Sequence, residues 1–312
     1  MYALVFPGQG AQSVGMGREL YDAFPSAKAV FEEADDALSE HLTQLIFEGD
    51  EAELTLTKNS QPAIMTVSIA ALRALTDELG ADVSPSCTAG HSLGEYTALV
   101  ASGVISFWDA VRLVRNRGIF MQEAVPEGMG AMAAVLGLDA EGVKKMCEGV
   151  APDGEISPAN FNSPGQVVIS GLSEYIDKAI ASAKTYGAKR AVKLNVSAPF
   201  HSKFMKPAAE KLRAEFEKIS WNPAKYDIIA NVNANPVNNP DEIRESLYRQ
   251  TFSPVLWENS VAYMADTLKI DTFYELGPGE VLAGLIKRCR KGMNIKSGGT
   301  PQTLEAVREC LH

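Results

Sequence analysis

Apolar and polar residues alternate along this chain in blocks whose period keeps changing. Tyr2 to Phe6 is a continuous apolar run that ends at Pro7 and Gly8-Gln9-Gly10, the pattern of a short buried strand feeding a turn. Gln61 to Leu79 predicts a helix, with Ser60 as its cap and Pro62 in its first turn. Cys87-Thr88-Ala89 suits a strand end, and Glu95 to Ala101 continues as a helix that stops near Gly103. Ser106 and Asp109 resemble a capping box. They open a helix that runs through Arg117 to about Ala124, before Pro126-Glu127-Gly128 breaks the chain. Strand-like and helix-like stretches in alternation predict an α/β architecture.

The rhythm changes at residue 129. Met129 to Leu136 reads as a strand and Asp139 to Glu148 as a short amphipathic helix. Ile156 to Phe161 and Gln166 to Ser170 read as strands around Asn162-Ser163-Pro164-Gly165. Ser173 to Tyr186 reads as a helix and Lys189 to Val196 as a strand. The order β-α-β-β-α-β is that of a ferredoxin-like domain. A small domain inserted at 128–197 is therefore expected, with a large domain built from 1–127 and 198–312. Beyond the insert, Lys203 to Ile219 is helical in pattern. Asp271 to Leu276 is a strand running into Gly277-Pro278-Gly279 and a further helix. Past Lys291 the pattern weakens, and Ser297-Gly298-Gly299 reads as a loop.

A length of 312 residues suits about two domains. With 46% hydrophobic and 22% charged residues, the composition is that of an ordinary soluble globular protein. No apolar run reaches the roughly 18 residues of a membrane span, and the N-terminus reads as a first strand instead of a signal peptide. Cys87, Cys147, Cys289 and Cys310 are scattered without metal-type spacing, as expected for reduced thiols in the cytoplasm. A formal net charge of −10 argues against general nucleic-acid binding. No metal, nucleic acid or membrane partner is expected.

One stretch carries chemistry directly. Gly90-His91-Ser92-Leu93-Gly94 has the form G-x-S-x-G, which places a serine on a sharp strand-to-helix turn with its oxygen projecting outward. Such a serine is an acyl-transfer nucleophile and needs a base. Four histidines are available. His312 is the last residue, His41 lies in a polar stretch, and His91 sits inside the turn and points away. His201, in the loop leaving the small domain, is the candidate base; a packed junction histidine is the alternative. The group that orients the imidazole could be any of many carboxylates or a backbone carbonyl. An oxyanion needs two N–H donors: Leu93, after the nucleophile, and the Gly8-Gln9-Gly10 loop are the candidates. Arg112, Arg115 and Arg117 share one helix. Solvated charge suits Arg112 and Arg115, and an arginine facing the cleft would hold a planar anion.

Phe6-Pro7-Gly8-Gln9-Gly10-Ala11-Gln12, Gly90-His91-Ser92-Leu93-Gly94-Glu95, Arg117-Gly118-Ile119-Phe120-Met121-Gln122, Pro164 to Gly171, Phe200-His201-Ser202 and Glu275 to Gly279 occur in one order over nearly the whole chain. Together they resemble the malonyl-CoA:acyl carrier protein transacylase family. The resemblance implies an α/β-hydrolase-like large domain with the ferredoxin-like insert. It implies Ser92 as nucleophile, His201 as base, and Gln9 and Leu93 as oxyanion donors. Arg117 would hold the malonyl carboxylate, and the Gln250 carbonyl would orient His201. Gln250, Phe200 and Met121 are placed with the substrate-binding residues, Phe200 disfavouring a substituent on the malonyl α-carbon. Malonyl-CoA and acyl carrier protein are the implied partners, with no cofactor, and a monomer is expected.

Two other classes fit parts of the pattern. A serine esterase or thioesterase would use the same elbow to hydrolyse its acyl-enzyme. A non-catalytic carrier-binding subunit would keep the fold, but Ser92, His201 and Arg117 together argue against it. Two basic groups could meet an acidic carrier: Lys287, Arg288, Arg290 and Lys291, or Lys189 and Arg190.

Overall fold

The computed structural model describes residues 1–196 and 198–311. Ser197, at the expected end of the small domain, and His312 lie outside the described residues. The larger sheet contains β1 (Tyr2–Phe6), β2 (Cys87–Gly90), β7 (Asp227–Ile229), β8 (Pro236–Val237), β9 (Thr272–Leu276) and β10 (Asn294–Gly298), and the smaller sheet contains β3 (Gly130–Leu136), β4 (Ile156–Ser163), β5 (Gln166–Leu172) and β6 (Arg190–Lys193).

The larger sheet runs β10-β9-β1-β2-β7-β8, parallel throughout except for β8. A parallel strand covered on both faces needs apolar residues at every position, and β1 has them. Leu4 and Phe6 enter the core on one face, while Ala3 and Val5 enter the core on the other. Register pairs Phe6 with Gly90, so β1 ends beside the turn that carries Ser92.

The smaller sheet is antiparallel in the order β4-β5-β3-β6. With the helices Ala140–Val150 and Ser173–Ser182 it forms the ferredoxin-like βαββαβ unit. Those helices cover one face over their own core. The other face shares a second core with the large unit, where Met132 and Val168 meet Met121, Phe200 and Met205. A bridge between Asn160 and Val255, with Phe161 N–H donating to the Val255 carbonyl at 2.9 Å, fastens β4 to the large unit.

Three expectations are corrected. The helix expected from Gln61 begins at Thr57 and is α-helical to Arg73, followed by a π-helical turn over Ala74–Glu78. Ser60 is buried inside it and caps nothing. The stretch from Lys203 splits into a 3₁₀ turn, Lys203–Met205, and the helix Lys206–Phe216. The segment after Lys291 is ordered: β10 pairs in parallel with β9, and a helix spans Pro301–Leu311.

Candidate active site

Ser92 stands between β2 and the helix Leu93–Ala101 with φ 52° and ψ −102°. A serine at positive φ is uncommon, and such backbone costs on the order of 1–3 kcal/mol. The surroundings over-determine it. A Cβ on Gly94 would lie 2.0 Å from the Phe6 carbonyl oxygen, so only glycine lets the elbow press onto β1. Asn231 pins the turn, accepting from Ser92 N–H at 2.7 Å and donating from Nδ2 to the Gly90 carbonyl at 2.7 Å.

The serine oxygen has two partners. Ser92 Oγ lies 2.7 Å from His201 Nε2, and Arg117 Nη2 donates to it at 3.0 Å. Guanidinium can only donate, so Oγ accepts from Arg117 and has its own proton free for the imidazole. His201 Nδ1 lies 2.9 Å from the Gln250 carbonyl, which can only accept. The Nδ1–H tautomer follows, with Nε2 as acceptor. Burial, followed by the Arg117 charge, lowers the His201 pKa to about 3. The ring is neutral at ordinary pH and can take a proton.

Arg117 is buried on the helix Phe107–Glu123. Its Nη1 donates to Gln61 Oε1 at 2.7 Å and its Nη2 also donates to Gln250 Oε1 at 2.9 Å. The Tyr96 ring centroid lies 5.1 Å from the guanidinium carbon. Its hydrogen-bonding and ring partners are uncharged, since burial raises the Tyr96 phenol to about 12, and burial also raises the Glu95 carboxyl, whose charge acts on Arg117, to about 7. A buried cation held by neutral groups is set up to receive an anion, because pairing offsets the cost of its desolvation.

A cavity of about 120 Å³ opens over these groups. A cavity of this order holds a small organic group, enough for a short acyl chain. Ser92, His201, Arg117, Gln9, Leu93, Met121 and Phe200 all line it. A Cβ on Gly8 would lie 2.3 Å from the His91 carbonyl oxygen, so glycine is what brings the Gln9 loop against the elbow. Leu93 supplies the first N–H of its helix, which has no intrahelical acceptor.

Gln250 is fully buried beside the cavity without lining it, with Nε2 donating to the Ser92 carbonyl at 2.9 Å and to Glu95 Oε2 at 3.0 Å. Arg115 is corrected. It is buried, not solvated, and bonds the Lys58 carbonyl, Asn59 Oδ1 and Glu40 Oε2. Arg112 and His41 are exposed. His91 turns to Asn162 of β4, with 2.8 Å between Nε2 and Oδ1, and its ring packs near Trp257.

Sequence reasoning missed Asn231, Gln61, Asn160 and the place of Glu95. Only Glu95 had a local signal, its capping-box spacing from Ser92. Among the described residues, no group of three or more His, Cys, Asp or Glu could hold a metal ion, and no helix is long and apolar enough to cross a membrane.

An oriented imidazole on an elbow serine, beside a buried arginine, is an arrangement that suits serine acyl transfer. The family model described as "Acyl transferase domain" matches residues 3–303. The malonyl CoA-acyl carrier protein transacylase of Bacillus subtilis (strain 168) is 48% identical over 310 residues, 99% of this chain and 96% of that protein. An acyl-carrier-protein-S-malonyltransferase from Bartonella henselae superposes with a TM-score of 0.96 at 44% identity, over 99% of both chains. A malonyl-transacylase solved in complex with its type II PKS acyl-carrier protein superposes at 0.95 with 43% identity, also over 99% of both chains. The chain belongs to the acyl transferase family and, within it, to the malonyl CoA-acyl carrier protein transacylases.

Proposed function

We propose that the protein moves a malonyl group from malonyl-CoA to the phosphopantetheine thiol of acyl carrier protein through a malonyl ester on Ser92, supplying extender units for fatty acid synthesis. The observation that carries this reading is that Arg117 and His201 converge on one oxygen, at 3.0 and 2.7 Å. The base reaches the nucleophile, and a cation at that same oxygen supports an acyl group that carries a distal carboxylate.

In the first half-reaction His201 Nε2 takes the Oγ proton as Oγ attacks the thioester carbonyl. The tetrahedral oxyanion is met by the N–H groups of Gln9 and Leu93. The C–S bond then breaks, and the imidazolium returns its proton to the departing CoA thiolate. In the second half the carrier thiol gives its proton to Nε2 and attacks the ester carbonyl, and as the ester C–O bond breaks the imidazolium returns that proton to Ser92 Oγ. This is ping-pong covalent catalysis. Thioester is exchanged for thioester, so the reading requires neither cofactor nor metal.

In this reading 1–127 and 198–312 form the catalytic unit, and 128–197 closes one wall of the cavity. Met121 and Phe200 bound the space beside the acyl α-carbon. The reading places a monomer in the cytoplasm. Arg117 favours a carboxylated acyl group over the uncharged acyl group of a plain esterase.

The test is incubation with malonyl-CoA followed by intact mass and peptide mapping. One malonyl adduct on Ser92 is expected, absent in Ser92→Ala. CoA release that proceeds at full rate without a carrier thiol would assign hydrolysis instead.

A further inference from the structure

Ser92 and Glu95 stand at the first positions of the helix Leu93–Ala101 with the spacing of a reciprocal capping box. The box does not form. Ser92 makes no side-chain cap bond, because its oxygen faces His201 and Arg117. The Ser92 N–H, which the glutamate of such a box would accept, goes to Asn231 Oδ1. Glu95 is thereby released from helix capping, yet it is buried at 2% exposure, where a carboxyl group is costly unless it has partners. Its Oε2 accepts from Gln250 Nε2 and from the Asn231 backbone N–H, each at 3.0 Å.

Gln250 is the hub of the site. Its backbone carbonyl meets His201 Nδ1 at 2.9 Å, and its Oε1 accepts from Arg117 Nη2 at 2.9 Å. A primary amide can turn over, exchanging its donor and acceptor ends. Turned over, it would point N–H groups at the guanidinium and lose that bond. An acceptor at the Glu95 oxygen, together with the Ser92 carbonyl, holds the NH₂ end away from Arg117.

We propose that Glu95 is a positioning residue for the transfer reaction: by fixing one amide orientation of Gln250 it aims Arg117 at the acyl carboxylate and steadies the carbonyl that orients His201. The proposal rests on the malonyl-transfer reading above. It makes reach, and not charge, the property that matters. Both bonds converge on Oε2, so a glutamine at 95 accepts both through its one oxygen, and the Asn231 N–H keeps that oxygen in place. An aspartate keeps the carboxyl group but falls one methylene short.

The test compares Glu95→Gln, Glu95→Asp, Gln250→Ala and the double variant Glu95→Asp/Gln250→Ala. Each is assayed for kcat/KM with malonyl-CoA and acetyl-CoA, with thermal unfolding alongside to score only folded protein. Glu95→Gln should keep the malonyl rate within about threefold and preserve the malonyl-over-acetyl ratio, as a substitution with little structural effect does. Glu95→Asp should lose about tenfold or more with malonyl-CoA, the effect of one buried hydrogen bond, and its ratio should fall. The double variant should be no worse than Gln250→Ala, because both changes act through one group. Glu95→Gln as impaired as Glu95→Asp, equal losses for both substrates, or additive losses in the double variant would each overturn the proposal. If the aspartate variant does not fold, a lost ratio in Glu95→Gln alone is decisive. Wild-type protein is mapped for malonyl-Ser92 in the same series: its absence defeats the functional reading, whereas its presence isolates any failure to Glu95.

Discussion

Arg115 Nη1 donates at 2.7 Å to the Lys58 carbonyl, the group four residues before Pro62 that a proline cannot serve. Proline inside a helix removes one hydrogen bond, and here an arginine from the neighbouring helix replaces it. The repair matters to the site. The helix turn it secures carries Thr57, which accepts from Gln9 Nε2 at 3.4 Å, and Gln61, which holds Arg117.

Arg115→Met should therefore destabilise the protein by about 1–3 kcal/mol, the cost of leaving a partly buried acceptor unmet. The ion pair of Arg115 with Glu40 reaches a half-exposed carboxylate. Glu40→Gln should cost less than about 1 kcal/mol. Denaturant unfolding of the two variants measures the contrast, and equal losses would mean that the ion pair carries the effect.

Arg117→Ala should flatten the preference for malonyl-CoA over acetyl-CoA. Losing one member of a buried charge pair costs about 2–5 kcal/mol, and acetyl has no carboxylate to lose a partner. Paired kcat/KM values read the ratio. Equal falls for both substrates would make Arg117 a structural residue.

The pH dependence of acylation has a definite sign. An imidazole can act as a base only when neutral, and the His201 pKa is lowered from the ordinary 6.5 to about 3, first by burial and then by Arg117. Protonation, and with it loss of rate, should come only as pH falls toward 3. Ser92 malonylation followed by rapid quench should stay level from about pH 8 to about pH 5, since a general base serves wherever it is unprotonated. A half-fall near 6.5 would show an imidazole titrating as it does in water.

The basic group after Gly277-Pro278-Gly279 is divided by its partners. Arg290 is paired with Asp266 and Arg288 donates to Gln166 of β5. Lys287 and Arg288 sit in the last turn of the helix Val281–Cys289. Lys287→Glu/Arg288→Glu should raise the KM for the acidic carrier, more at low salt than at high salt, and leave acylation by malonyl-CoA nearly unchanged. A carrier KM that does not move would remove these residues from the docking surface.

What the sequence made legible was local. The serine elbow, the Ser106 cap and the strand β1 are each written in a few neighbouring residues, and the structure has them where the pattern put them. The ferredoxin-like unit was legible because its strands and helices follow one another without interruption. What escaped depends on distant partners. The start of the helix at Thr57 depends on Arg115, 57 residues from the carbonyl it rescues, so Pro62 misread as a first-turn marker. Asn231 lies 139 residues from the serine it pins. Strand β10 escaped because Asn, Lys, Ser and Gly are poor strand formers, and its pairing with β9 decides its conformation. Arg115 read as solvated because an arginine on a helix gives no sign of what will pack over it.

The left-handed backbone at Ser92 sets durability against turnover. A glycine there would accept the same φ without strain, and the Asn231 clasp needs only the main chain of residue 92. Pressure for thermal endurance alone would thus favour erasing the nucleophile. On the proposed function, the serine keeps its uncomfortable conformation for the sake of the acyl group it would carry.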